Sequence, residues 1–193
     1  GDPALADPGL IPPAVGISDP DWVLGHGQLD YAAEARLVCD NLLDFSHLSY
    51  VHAQSFGAGP EFAQFQPRIE PLDRGVQVTR WLPQGVGNPR NPHDVPVEAW
   101  QAYDFLVPGV LLMWSGNYPA GTAARLGAAA PAMDDALSGL NFTSQAVTPT
   151  GDGTARYFFS WGPHRRHGDG AKRDAMMGIA AQAFAEDKVM IEA

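Results

Sequence analysis

Asn141-Phe142-Thr143-Ser144-Gln145-Ala146-Val147 and Ala155-Arg156-Tyr157-Phe158-Phe159-Ser160-Trp161 are two β-rich runs separated by the turn sequence Pro149-Thr150-Gly151-Asp152-Gly153. β-branched and aromatic residues suit strands, and so short a Gly-rich join permits only an antiparallel hairpin, since a parallel pair needs a long crossover. Comparable runs lie at Phe65 to Ile69, Gly75 to Leu82, Val97 to Val107 and Val110 to Ser115. Between Phe62 and Trp161 the chain therefore reads as an antiparallel meander. The Ala/Gly/Pro-rich stretch from Tyr118 to Met133 interrupts it and predicts a mobile loop or a short helix.

Outside the meander the pattern changes. The first 30 residues are rich in Pro and Gly, with turn pairs Asp19-Pro20 and Gly25-His26, and read as an irregular arm. Tyr31 to Val38 fits a short strand or a helix, and Leu42, Leu43, Phe45 and Leu48 predict a helix from about Asp40 to Tyr50 with Asp40 as N-cap. From about Lys172 a final helix is expected, with Met176, Ala180, Ala183, Phe184 and Ile191 at helical spacing. Helix, antiparallel sheet, helix is an α+β order, satisfied by a curved sheet gripping one long C-terminal helix with a pocket between them.

Composition bounds the function. The 193 residues, 45% hydrophobic, suffice for one domain with a substantial core. A net charge of −10, from 22 acidic and 12 basic residues, opposes binding to nucleic acid or an anionic lipid surface. No apolar run reaches the roughly 20 residues of a membrane-spanning helix. The single cysteine, Cys39, cannot form an intrachain disulfide, which fits the cytosol. There is no initiator Met, and Gln182 to Ala193 reads as helix with no stop signal, so a fragment of a longer polypeptide is expected.

The segment Asp40-Asn41-Leu42-Leu43-Asp44-Phe45-Ser46-His47-Leu48-Ser49-Tyr50-Val51-His52 gathers two imidazoles, an amide and two carboxylates into 13 residues of a chain only 18% charged. On a straight helix Asp44 and His47 share a face, but His47 and His52 point about 140° apart. They converge only if the helix breaks or bulges, and the break is expected between Leu48 and Val51. Two neutral imidazoles and one carboxylate on one side of an iron leave positions open for dioxygen. Asp187 is the candidate third ligand, a carboxylate on the apolar stripe of the last helix, where burial demands a metal or a cation opposite it. Glu186 and Lys188 read as a solvated edge of that helix. His164, His167 and Asp169 could suggest zinc but sit in an Arg-rich polar loop, a solvated turn. His26 and His93 read as loop residues, and Phe158, Phe159 and Trp161 as core or pocket wall.

At these residues the sequence resembles the Rieske non-haem iron oxygenases, specifically the branch of vanillate O-demethylase and dicamba monooxygenase. Asp40 to Asp44, His47 and Val51-His52 resemble its iron-binding motif; Phe184-Ala185-Glu186-Asp187-Lys188-Val189-Met190-Ile191-Glu192-Ala193 resembles the segment carrying its third ligand; and Gly1 to Pro8 resembles the join after its Rieske domain. The resemblance implies a helix-grip (START/Bet v 1-like) catalytic domain over 1–193, with His47, His52 and Asp187 binding Fe(II). It further implies that Asp44 connects this iron to a Rieske cluster on a neighbouring subunit and that Asn41 orders the site. A carboxylate hydrogen-bonded to a ligating His would also fix its tautomer, a role open to Asp44. The 2Fe-2S Rieske cluster needs Cys-x-His and Cys-x-x-His motifs, which one cysteine cannot supply, so that domain is expected upstream.

The function so implied is oxidation of a small aromatic substrate by O2, with electrons from a reductase or ferredoxin, in a homotrimer. In this branch a methoxylated aromatic acid is O-demethylated with release of formaldehyde. Ring dihydroxylation on the same iron and a metal-free helix-grip ligand-binding module are the alternatives; a zinc hydrolase is disfavoured because no Glu stands beside the histidines as general base. Pocket walls are expected around Phe105, Met113, Asn117, Asn141, Gln145 and Phe159, with Asn117, Asn141, Gln145 and Phe159 as substrate contacts. No Arg is evident for a substrate carboxylate.

Overall fold

The computed structural model describes residues 2–12, 19–56, 59–83 and 95–193. Seven strands form one antiparallel sheet: β1 (Gly25–Tyr31), β2 (Arg68–Leu72), β3 (Gly75–Leu82), β4 (Val97–Leu106), β5 (Val110–Pro119), β6 (Ser138–Gly151) and β7 (Thr154–Pro163). Their order is β1-β7-β6-β5-β4-β3-β2, so each strand from β2 to β7 pairs with its sequence neighbour and β1 alone joins out of turn. The helices are α1 (Ala35–Leu43), α2 (Leu48–Val51), α3 (Thr122–Leu126) and α4 (Gly170–Ile191). The α+β arrangement matches the expectation. Among the described residues no helix is long and apolar enough to cross a membrane.

The strand alternation sorts side chains onto two cores. Tyr31, Val38, Val147, Tyr157, Phe159 and Ala180 form a cluster between the sheet and α1 and α4, with Phe184 packed against it. On the opposite face Trp22, Trp100, Tyr118, Leu140 and Phe142 form a second cluster. Each such large apolar side chain contributes roughly 1.5–3 kcal/mol when fully buried. α4 packs on β7, β1 and α1, so the inner face is covered at one end of the sheet and open beneath its middle strands.

Two glycines shape that opening. Gly27 faces Phe159 across the β1–β7 pair, and the Phe159 ring occupies the space a Cβ at position 27 would need. Between Ser115 and Asn117 the β5–β6 register slips, and Gly139, at φ 65°, takes up the extra length. A Cβ there would lie 2.6 Å from the Asn117 amide nitrogen.

Several expectations need correction. The arm is irregular only to about Leu24: Gly25-His26 opens β1, because β7 offers an edge that a local turn reading ignores, and His26 is a strand residue paired with Ser160. Phe65 to Ile69 is not one strand; Pro60–Gln64 is a 3-10 turn and β2 starts at Arg68. Asp40 lies inside α1 rather than capping it, since Glu34 precedes the first turn. Phe158 points outward and is exposed, opposite in phase to Phe159 and Trp161. His93 lies outside the described residues.

Candidate metal centre

Asp44 ends α1. Its Oδ1 accepts from the Ser46 backbone N–H at 2.8 Å and from the Ser46 hydroxyl at 2.6 Å, a side-chain turn that competes with helix continuation. The chain resumes as α2 for a single turn, with His47 at its N-terminal boundary and His52 at its C-terminal boundary. The expected helix break therefore exists, but it falls between Leu43 and Leu48 rather than between Leu48 and Val51. The result for the histidines is the one required: their Nε2 atoms come to 3.1 Å from each other.

Each imidazole has its tautomer set by what stands behind it. His47 Nδ1 contacts the backbone carbonyl of Asp44, and a carbonyl only accepts, so the ring proton belongs on Nδ1. His52 Nδ1 donates to Glu186 Oε2 at 2.9 Å. Both Nε2 atoms are then bare lone pairs. They face Asp187 Oδ1 at 3.4 Å from His47 and 3.0 Å from His52. That oxygen is buried and makes no hydrogen bond.

Three electron-rich atoms with no proton between them, on residues including His52 at 1% and Asp187 at 3% exposure, require a cation. Donors held about 2.1 Å from one ion at right angles stand about 3.0 Å apart, close to the spacings seen here. Two histidines and one carboxylate are the donor set of non-haem iron sites with open positions, so the residues fit such an ion. Among the described residues His47, His52 and Asp187 are the one such cluster, and His164 and His167 instead accept backbone N–H groups. Without a metal, burial pushes the Asp187 carboxyl pKa up, but hydrogen bonds donated by the two imidazoles and the nearby Asn41 amide outweigh it and hold it at about 2. Burial likewise pulls the His52 pKa down, and the Asp187 and Glu186 carboxylates raise it above its ordinary value.

The supporting carboxylate is not where the sequence reading put it. Asp44 is exposed, its carboxylate is turned to Ser46, and it supports His47 through its backbone carbonyl. Glu186, expected on a solvated edge, holds His52 and also accepts from the Ser55 hydroxyl at 2.7 Å. Lys188 is not free either, reaching the Asp30 carbonyl on β1 and Glu192. The signal for Glu186 was its place one residue before a buried carboxylate, but its partners are 131 and 134 positions away.

The triad borders a cavity of about 580 Å³, within the range of small-molecule sites. Met113, Asn117, Asn141, Gln145 and Phe159 line it as expected, whereas Phe105 packs against the inner core instead. Asn141 is fully engaged: its amide nitrogen donates to Ser115 Oγ and the Gly139 carbonyl, and its oxygen accepts from Trp161 Nε1. It orients the Trp161 wall. Asn117 donates to Ser138 Oγ at 3.1 Å, and Gln145 Oε1 is buried without a partner. Gln101 and Tyr103 on β4 also line the cavity, and neither was singled out from the sequence.

Fold and site together define a helix-grip domain with a cluster able to hold one metal ion at the wall of a small-molecule pocket. Residues 31–193 match the family described as the vanillate O-demethylase oxygenase C-terminal domain, and the chain belongs to that family. It is 32% identical over 205 residues to the toluene-4-sulfonate monooxygenase system iron-sulfur subunit of Comamonas testosteroni, which aligns with all of this chain and 56% of that protein. With the vanillate O-demethylase oxygenase subunit of a Pseudomonas species the identity is 33% over 201 residues, covering all of this chain and 59% of the relative. The crystal structure of dicamba monooxygenase bound to 3,6-dichlorosalicylic acid superposes on the whole chain with a TM-score of 0.81 at 25% identity, using 55% of that protein. The chain thus spans little more than half the length of these relatives, and a Rieske cluster domain is not within it.

Proposed function

We propose that this chain is the catalytic domain of a Rieske-type terminal monooxygenase that hydroxylates an aromatic substrate, with O-demethylation of a methoxylated aromatic acid as its reaction. The observation that carries the reading is the buried triangle of two bare imidazole nitrogens and one carboxylate oxygen beside a 580 Å³ pocket. Relatives named for toluene-4-sulfonate and vanillate support an aromatic substrate. An Fe(II) ion held by His47, His52 and Asp187 would supply the activation of dioxygen, using electrons that a reductase or ferredoxin delivers through a 2Fe-2S Rieske cluster in a further domain.

The chain's own residues divide the remaining work. Glu186 and the Asp44 carbonyl keep both Nε2 atoms free of protons and aimed at one point. Asn41 lies beside Asp187 and helps keep it ionised. Asp44, exposed and adjoining His47, is where a neighbouring subunit of a trimer would bring the cluster. Phe159, Trp161 and Phe184 wall the pocket with apolar surface, which excludes water and holds an aromatic ring. Asn117 and Gln145 retain acceptor capacity toward that ring's substituents. Hydroxylation of a methoxy carbon yields an unstable hemiacetal that releases formaldehyde.

The test has two parts. Anaerobic ferrous titration should give one iron per chain, lost in His47→Ala and Asp187→Ala. The complete oxygenase, reconstituted with its reductase, should consume NADH and release formaldehyde across a set of methoxybenzoates. A cis-diol product in place of formaldehyde would instead identify ring dihydroxylation, and absence of iron would overturn the assignment of the triad.

A further inference from the structure

Arg80 is the strangest residue near the pocket. It lies on the inner face of β3 between Val78 and Leu82, is 6% exposed, and no carboxylate among the described residues pairs with it. Its guanidinium sits 4.1 Å from the ring centre of Phe62 and 4.9 Å from that of Phe45, so aromatic faces take up two sides of it. Nη2 is buried and makes no hydrogen bond. Burial lowers its pKa only to about 10, so it remains a cation at neutral pH. An uncompensated buried cation with an orphaned donor is costly, and such a group in a native protein calls for an explanation.

Its one hydrogen bond among the described residues points to that explanation. Arg80 Nε donates to Gln101 Oε1 at 2.8 Å, across the register that pairs the two residues on β3 and β4. Gln101 lines the cavity. With its oxygen engaged by Arg80, what Gln101 has left to offer the cavity is its Nε2 amide hydrogens. Tyr103, two residues along the same face, lines the cavity as well, and its hydroxyl can either donate or accept. Gln101 therefore presents donors only, with a positive charge immediately behind them in a poorly solvated setting. No described residue that lines the cavity is itself Lys or Arg, so Arg80 supplies its charge from behind Gln101.

We propose that Gln101, backed by Arg80, recognises the oxyanion of an aromatic carboxylate or sulfonate bound in this pocket. This rests on the aromatic-acid reading above and deepens it by naming the residues that select the acid group. Arg80 acts as a positioning residue: it fixes the Gln101 amide with hydrogens toward the ligand and adds its charge through it. An acceptor brought there is favoured, and a donor is refused.

The test compares benzoate with benzamide, its neutral isostere, on the iron-loaded chain by calorimetry. The expected result is tighter binding of benzoate. Gln101→Glu places a carboxylate against Arg80, cancels the charge and reverses the donor, so benzoate affinity should fall about tenfold or more while benzamide changes by less than about twofold. Gln101→Leu removes the donors without adding charge and should give a smaller loss for benzoate alone; it serves if the first variant does not fold by thermal melting. Unchanged benzoate affinity in a folded variant, or no preference for benzoate in the parent chain, would overturn the proposal. Iron content measured on the same samples separates it from the assignment of the triad. Iron retained without benzoate selectivity sinks this inference alone; iron absent from the parent sinks the triad, and the same ligand comparison on the metal-free chain then decides the oxyanion site.

Discussion

Replacing Glu186 by Gln removes one charge behind His52 while keeping the side chain's size. In the native chain Glu186 Oε2 accepts from His52 Nδ1 at 2.9 Å and from Ser55 Oγ at 2.7 Å, and Oε1 accepts from Gln182 at 3.1 Å. A carboxylate in this position makes the far nitrogen a better donor to a metal, and losing such a partner typically weakens metal binding about 10–100-fold, or about 1.4–2.7 kcal/mol. The Glu186 side chain is 27% exposed, so solvent screens part of its effect and the lower end, about tenfold, is expected. Anaerobic ferrous titration measures this directly, and nitrogen-15 NMR of the imidazoles reports whether His52 still carries its proton on Nδ1. Unchanged iron affinity together with an unchanged His52 tautomer in a folded Glu186→Gln chain would refute the reasoning, because the supporting role assigned to the carboxylate would then be empty.

Stability of the metal-free chain should depend on pH through the same cluster. His52 is raised above its ordinary 6.5, so the stability it contributes is fully present below 6.5 and lost as pH rises through the higher folded value. Asp187 is depressed from 3.8 to about 2, so its contribution is present above 3.8 and lost as pH falls through about 2. Thermal melts without metal should therefore show a larger advantage over His52→Asn at about pH 6 than at about pH 8, and added Fe(II) should reverse that trend because the metal competes with the proton. An advantage that grows with pH in the metal-free chain would contradict it. Separately, Gly27→Val should drive a methyl into the Phe159 ring, costing about 1–3 kcal/mol in urea unfolding and narrowing the pocket for aromatic ligands. A neutral effect on both would show that Phe159 is free to move aside.

The parts of this structure that were legible from sequence share a feature: they violate a local pattern. Asp187 interrupts an apolar stripe, and two histidines with an amide and carboxylates crowd one short segment, so the triad could be read before any coordinates. The strands of the meander were legible because alternation and turn residues agree. What was misread depends on partners distant in sequence. β1 exists because β7 has a free edge; Glu186 is engaged because α4 lies beside His52 and Ser55. The helix break was misplaced although its cause was local, since Asp44 followed by Ser46 two residues on is a turn-forming pair that apolar periodicity overrode. Arg80 was overlooked for the opposite reason to Asp187: both are charges on apolar faces, but in a strand of period two a single Arg passes for a solvent-facing position.

The break at Asp44 also has a mechanical side. It puts two donors on a stretch before the meander and leaves the third to α4, where Glu186, the neighbour of Asp187, lies 134 positions after His52. An ion shared by the three would thus be a clasp joining the segment after α1 to α4 across the sheet. Because closing so long a circle carries a loop-closure cost that grows only slowly with its length, a tightly bound ion can stabilise the closed domain through the energy of binding alone. Loss of the ion would be felt first as loosening of the second half of α4, and proteolysis near Lys188 should report the state of the centre before any spectrum does.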